Sequence, residues 1–145
     1  MIELEKYETI IFDCDGVILN SNFQKIEAYR NTAIEFGASE QQAQALVDHH
    51  VKLTGISRNI KFKYFLSEIM HQEVSEEAMS ELLKALNKQV LKLLNECEIA
   101  KGLSKLRERT KNSKRILASG GDEKELNPVF KEKNLDHFFE EGIFG

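Results

Sequence analysis

Thr9-Ile10-Ile11-Phe12 is an apolar run without polar alternation, and it stops abruptly at Asp13-Cys14-Asp15-Gly16. A surface helix would show a 3.6-residue period and a half-exposed strand would alternate. A short continuous run ended by polar residues and a glycine predicts a buried strand of a parallel sheet. Parallel strands need long crossovers, usually helical, and the residues that follow read as helix almost to Cys97. Phe23, Ile26, Tyr29, Ala33 and Phe36 step by three and four, with Gly37 as the stop. Ser39 to Gln42 has capping-box spacing and opens a second helix toward Val51. Ser57 caps a third running toward Met70, and Ser75-Glu76-Glu77 opens a fourth. In that fourth helix Met79, Leu82, Leu83, Leu86, Val90, Leu93 and Leu94 form one apolar stripe, which reads as core.

The pattern changes after Cys97. A short helix is expected over Gly102 to Thr110, a second strand at Arg115-Ile116-Leu117-Ala118, and a tight turn at Ser119-Gly120-Gly121. Asp122 to Glu125 caps a helix reaching Lys133, and Gly142-Ile143-Phe144 begins a third strand. Strands alternating with helices predict an α/β fold with a parallel sheet. The helical block between the first two strands is too long for one crossover. Residues 20–98 are therefore expected as an inserted helical domain, and residues 1–19 with 99–145 as the α/β core.

Composition narrows the function classes. Twenty Lys and Arg against 24 Asp and Glu give a net charge of −4 over 145 residues. That argues against a partner held through nucleic-acid phosphates. No apolar run approaches the roughly 20 residues of a membrane span. Met1 to Lys6 lacks a basic stretch followed by an apolar one, so no secretory leader is expected. Two cysteines, Cys14 and Cys97, do not make a disulfide framework, which points to a reduced cytoplasm.

The chemistry concentrates at the strand ends. In open α/β sheets, ligands bind outside the carboxyl ends of the strands. Alternation along the strand puts Asp13 and Asp15 on one side and Cys14, a core thiol, on the other. Two carboxylates so close repel unless a charge offsets them. A hard divalent cation with oxygen ligands does so, and Mg²⁺ suits a phosphate substrate. An EF-hand loop also begins with this spacing, but Ile18 stands where its glycine belongs and Gln24 where its bidentate Glu belongs. Gly16 permits a sharp exit from the strand. Ser119 by itself reads as a helix cap. Paired with the first motif, its hydroxyl and the backbone N–H groups at the helix start form an anion site.

Phe12-Asp13-Cys14-Asp15-Gly16-Val17-Ile18 resembles the first motif of the haloacid dehalogenase (HAD) superfamily, and Leu117-Ala118-Ser119-Gly120-Gly121 its second. The helical insertion follows the first motif, where that superfamily carries its helical cap. The resemblance is to the phosphoglycolate phosphatase and β-phosphoglucomutase-like branch. Asn20-Ser21 departs from the Asp-Ser common there. It implies a Rossmann-like parallel sheet with an inserted helical cap, and a Mg²⁺-dependent phosphatase or phosphoryl-transfer enzyme acting on a small phosphorylated metabolite. Asp13 would be the nucleophile, forming an aspartyl-phosphate, and Asp15 the general acid and base. Asp13 and Asp15 would hold the metal, Asp15 through its main-chain oxygen. Ser119 and the Gly120 amide would hold the phosphoryl oxygens. In the cap, Lys25 and Arg58 are each either a substrate contact or a solvated surface charge. His49, His50, His71 and His137 read as non-ligands.

The superfamily's third and fourth motifs, a Lys and an acidic pair, normally follow the strand that begins here at Gly142. Lys131 and Lys133 sit on the preceding helix and are poor substitutes. At roughly 30 residues per βαβ unit, the residues outside the insertion supply about three strands. The expectation is a C-terminally truncated form, inert or nearly so alone, with an exposed sheet edge prone to self-association. The alternative reading is a non-catalytic phosphometabolite-binding or protein-interaction module.

Overall fold

A computed structural model describes residues 2–145. Strand β1 (Thr9–Phe12) pairs in parallel with β2 (Lys114–Ala118), with Thr9 opposite Lys114 and Phe12 opposite Leu117. Strand β3 (Ile143–Phe144) joins the other side of β2, also in parallel, with Ala118 opposite Phe144. Among the described residues the sheet order is thus β1-β2-β3. The fold is α/β, with a Rossmann-like parallel sheet and a long helical insertion between β1 and β2.

The chain divides into two compact units, Met1–Asn22 with Leu94–Gly145, and Phe23–Leu93. In the α/β unit, helix α5 (Leu103–Arg109) precedes β2, and α6 (Glu123–Glu132) lies between β2 and β3. The core gathers Leu117 from β2, Leu126, Val129 and Phe130 from α6, and Phe138, Phe139 and Ile143 beyond it. Arg115 is buried among them. Its Nε donates to the Phe138 carbonyl at 2.7 Å and its Nη1 to the Thr110 carbonyl at 2.8 Å, so the charged head is held by backbone oxygens.

One expectation about β1 fails. It was expected to be buried on both faces, yet Ile11 is 65% exposed. Ile10 and Phe12 point to the covered face, where the Phe12 ring meets Phe138 and Phe139 edge-on at 5.9 and 5.7 Å. The opposite face has no such cover, and β1 is an edge strand among the described residues.

In the helical unit, α1 (Asn22–Glu35) ends where Gly37 takes φ +102°. The Ala38 amide reaches back to the Ala33 carbonyl and the Gly37 amide to that of Ile34, the paired bonds of a Schellman stop. The apolar stripe of α1 starts later than its sequence period suggests, because Phe23 is 67% exposed and burial begins at Ala28 and Tyr29. Helix α2 (Glu40–Lys52) has a reciprocal capping box. The Gln42 amide bonds the Ser39 hydroxyl at 3.2 Å, and the Ser39 amide bonds the Gln42 side chain at 2.9 Å. Helix α3 (Arg58–Tyr64) starts at its Ser57 cap and widens into a π-helical turn over Phe65–Ile69, so the expected helix toward Met70 is not uniform. Helix α4 (Glu76–Glu96) starts under the Ser75 hydroxyl, which accepts from the Ala78 amide at 3.1 Å. Its stripe sorts into a buried spine of Leu82, Leu86 and Val90, with Met79, Leu83 and Leu93 half covered.

Leu86 is 1% exposed on that spine. Leu86→Ala removes packed methyl groups and is expected to destabilise the chain by about 2–5 kcal/mol, measured by urea denaturation. A cost below about 1 kcal/mol would show that the helices close over the gap.

Candidate active site

The parallel register sets the site. Phe12 stands opposite Leu117, so the chain leaves β1 at Asp13 beside Ala118, one residue before Ser119. Neighbouring strands stand roughly 4.8 Å apart. Both sequence motifs therefore emerge at the same carboxyl edge of the sheet.

Behind Asp13 the chain folds back tightly. The Cys14 carbonyl receives the amides of Val17, Ile18 and Leu19 at 3.3, 2.9 and 3.0 Å. The Gly16 amide donates to the Leu19 carbonyl at 2.8 Å. Gly16 takes φ +73°, and a Cβ there would lie 2.8 Å from the Asn22 side-chain nitrogen. Asp13 is exposed, Asp15 half-buried, and the Cys14 side chain fully buried. The Ser21 hydroxyl, itself buried, donates to Asp15 Oδ1 at 2.6 Å. Ser21 was not singled out from sequence as a site residue. Its signal was a hydroxyl six residues beyond a carboxylate, across a glycine turn.

Two chain passages pair beside this loop. The Asn20 amide bonds the Glu98 carbonyl and the Ala100 amide bonds the Ile18 carbonyl, both at 2.8 Å. Close by, the Lys133 ammonium donates to the Asn95 and Cys97 carbonyls at 3.0 and 2.7 Å, closing the end of α4. The Cys97 thiol, for which the sequence shows no partner, donates to the Leu94 carbonyl. Burial pushes that thiol above its usual pKa; Lys133 opposes the shift and Asp15 adds to it.

At the end of β2 the Ser119 amide bonds the Phe144 carbonyl at 3.0 Å. The Ser119 hydroxyl oxygen accepts the Gly121 amide at 3.1 Å, which leaves its own proton to donate. The Asp122 side chain caps α6 by accepting the Lys124 amide at 2.9 Å. Gly120 is exposed, with open space where a Cβ would be. Its amide has no protein partner among the described residues.

Lys25 and Arg58 belong to the helical unit. Arg58 opens α3 and donates to Asn87 Oδ1 at 2.5 Å. Lys25, on α1, is half-buried and its charge acts on His50 and Lys61. His50 stacks on Tyr29 at 4.1 Å while His49 stacks on Tyr64 at 3.8 Å, so the adjacent histidines serve different faces of α2. Burial, then the charges of Lys61 and Lys25, push the His50 pKa down to about 4. Burial also lowers His49, with the charges of Lys61 and Lys52 adding to it.

A family model described as a haloacid dehalogenase-like hydrolase matches residues 7–145. No curated protein matches the chain significantly. Among solved structures, a β-phosphoglucomutase from Clostridium difficile is similar at 24% identity and TM-score 0.67, over 94% of this chain and 60% of that one. A protein from Haemophilus somnus 129PT, described as a predicted phosphoglycolate phosphatase, aligns at 15% identity and TM-score 0.71, over 96% of this chain and 62% of its own. A HAD hydrolase of family IA, variant 3, from Entamoeba histolytica aligns at 18% identity and TM-score 0.71, over 95% and 61%. These likenesses establish the fold, and the chain spans about three fifths of the length of the solved chains it matches.

The turn at Gly16 sets the path of the chain out of Asp15. Gly37→Ala, at positive φ with open space around it, is expected to cost about 1–2 kcal/mol. Gly16→Ala adds a collision with Asn22 and should cost more, measured by urea denaturation of both variants. Equal losses would show that Asn22 yields freely and that the turn is not sterically locked.

Proposed function

Because the chain belongs to the haloacid dehalogenase-like hydrolase family, we propose that it carries the nucleophile and phosphate-binding half of a Mg²⁺-dependent phosphatase or phosphoryl-transfer enzyme. The substrate in this reading is a small phosphorylated metabolite. The observation that carries it is the emergence of Asp13 and Ser119 from neighbouring, in-register parallel strands, with Asp15 tied to Ser21 two residues on.

In this reading a carboxylate oxygen of Asp13 attacks phosphorus, and the bond from phosphorus to the ester oxygen breaks. Asp15 gives its proton to that leaving oxygen. The Ser21 hydroxyl donates to Oδ1 and so orients the carboxyl group for that transfer. Asp15 then takes a proton from the water that attacks the aspartyl-phosphate, which frees Asp13 and inorganic phosphate. The Ser119 hydroxyl and the Gly120 amide donate to the phosphoryl oxygens, and the start of α6 adds its positive end.

The residues fit Mg²⁺. Among the described residues no group of three or more His, Cys, Asp or Glu stands together. The donors in this reading are the Asp13 carboxylate and the Asp15 backbone carbonyl, both hard oxygens. Mg²⁺ uses one or two carboxylates and fills its other positions with water and substrate phosphate. Asp13 and the Asp15 main-chain oxygen would hold it, and when bound it would offset the charge shared by nucleophile and phosphate. Lys25 and Arg58 are proposed as contacts to the remainder of the substrate. Cys14 and Cys97 are buried thiols rather than a disulfide, which supports a cytoplasmic setting. Among the described residues no helix is long and apolar enough to cross a membrane.

The test is phosphate release from 4-nitrophenyl phosphate by the protein that contains this chain. Asp13→Asn is expected to abolish it, Asp15→Asn to slow it by about 10²–10⁴-fold, and chelation to remove it until Mg²⁺ is restored. Near-normal turnover by Asp13→Asn would sink the assignment. The edge of β1 is proposed as a self-association surface, because β1 ends the sheet among the described residues and carries Ile11 at 65% exposure. Ile11→Lys should lower the solution mass measured by light scattering; an unchanged mass would remove the edge from consideration.

A further inference from the structure

We propose that the helical unit holds an oxyanion site of its own, built on the Lys61 ammonium with His50 beside it and Lys25 adding positive charge. The ligand is a compact anionic group, a phosphate or a carboxylate. Taking that group as a second anion of the substrate rests on the phosphatase reading above; the site itself does not.

Lys61 is 2% exposed, which is rare for a lysine. It lies on α3 beside Phe62, with Phe65 and Leu66 on the π-helical turn that follows, all buried. Its Nζ meets His50 Nδ1 at 3.0 Å and sits 5.6 Å from the centre of the Tyr29 ring. Among the described residues no carboxylate pairs with it. An ammonium has three protons to donate, and His50 takes one. A weak contact with an aromatic face does not replace a counterion. A buried charge without a partner is costly, and the usual remedies are a counterion or loss of the proton.

The surroundings favour the counterion. The charges that act on His49, His50 and Lys61 come from Lys25 on α1, Lys52 on α2 and Lys61 itself, and all three are positive. Burial, then Lys25, pushes the Lys61 pKa down, and the same two lysines help push His50 down to about 4. A bound anion reverses both effects. The neutral His50 ring, accepting at Nδ1, carries its proton on Nε2 and so brings one more donor. The positive charge and the N–H donors together suit a compact anion.

The experiment titrates inorganic phosphate, and separately acetate, into the isotopically labelled full chain. The His50 ring, the Lys61 side chain and the Gly120 amide are followed by NMR. Phosphate is expected to shift His50 and Lys61 saturably and to raise the His50 pKa by at least about one unit. Lys61→Met should weaken that response at least about tenfold, with Lys61→Arg restoring part of it. Should Lys61→Met lose its helical circular dichroism, Lys61→Gln takes its place. A matching response to acetate makes the ligand class carboxylate as well as phosphate; phosphate alone narrows it. Still resonances at His50 and Lys61, or shifts that survive Lys61→Met unchanged, would overturn the proposal. Movement at Gly120 alone supports the α/β phosphate site and overturns this one. Movement at His50 with a still Gly120 upholds this one and counts against the other.

Discussion

The parallel pairing of β1 with β2 is the constraint on which the rest of the α/β unit depends. Four residues of β1 meet β2 in strict register, from Thr9 opposite Lys114 to Phe12 opposite Leu117. Side chains alternate with a period of two, so a one-residue slip would turn Ile10 and Phe12 away from Phe138 and Phe139 and put Ile11 in their place. It would also move Asp13 relative to Ser119. The packing that holds the hydrophobic face and the alignment of the two polar loops are therefore one requirement.

Beyond the sheet edge, backbone geometry does most of the positioning. The Cys14 carbonyl gathers three amides, Gly16 turns in the left-handed region, and Ser21 reaches back to Asp15. Ser119 shows the same economy, since accepting the Gly121 amide orients the hydroxyl without using its proton. Preorganised donors of this kind do not reorganise when charge develops, which makes them effective in catalysis.

Much of this was legible because it is local. The Ser39, Ser57, Ser75 and Asp122 caps and the Gly37 stop each depend on a few neighbouring residues, and each stands where its spacing puts it. Both strand-end motifs were legible for the same reason. What the sequence concealed depends on distant partners. The exposure of Ile11 follows from strand order, which an apolar run does not encode. The π-helical turn at Phe65–Ile69 leaves no mark in the apolar period. Lys61 reads as one more surface charge until the fold leaves it 2% exposed and sets it against His50. Ser21 gains its meaning only when the Gly16 turn returns the chain to Asp15.

The distance along the chain between β1 and β2 has a consequence for synthesis. Phe12 leaves the ribosome roughly 100 residues ahead of Leu117, a delay of about 5–20 s at ordinary elongation rates. The helical unit, Phe23–Leu93, is continuous in sequence and is complete before β2 exists. Helices form in microseconds, so that unit has time to fold while Ile10, Ile11 and Phe12 still lack a sheet. The nascent chain thus carries an unpaired apolar strand for seconds, an interval in which aggregation competes with folding. Two physical demands thus meet in β1: it is apolar enough to seat the sheet and short enough, at four residues, to wait for it without aggregating.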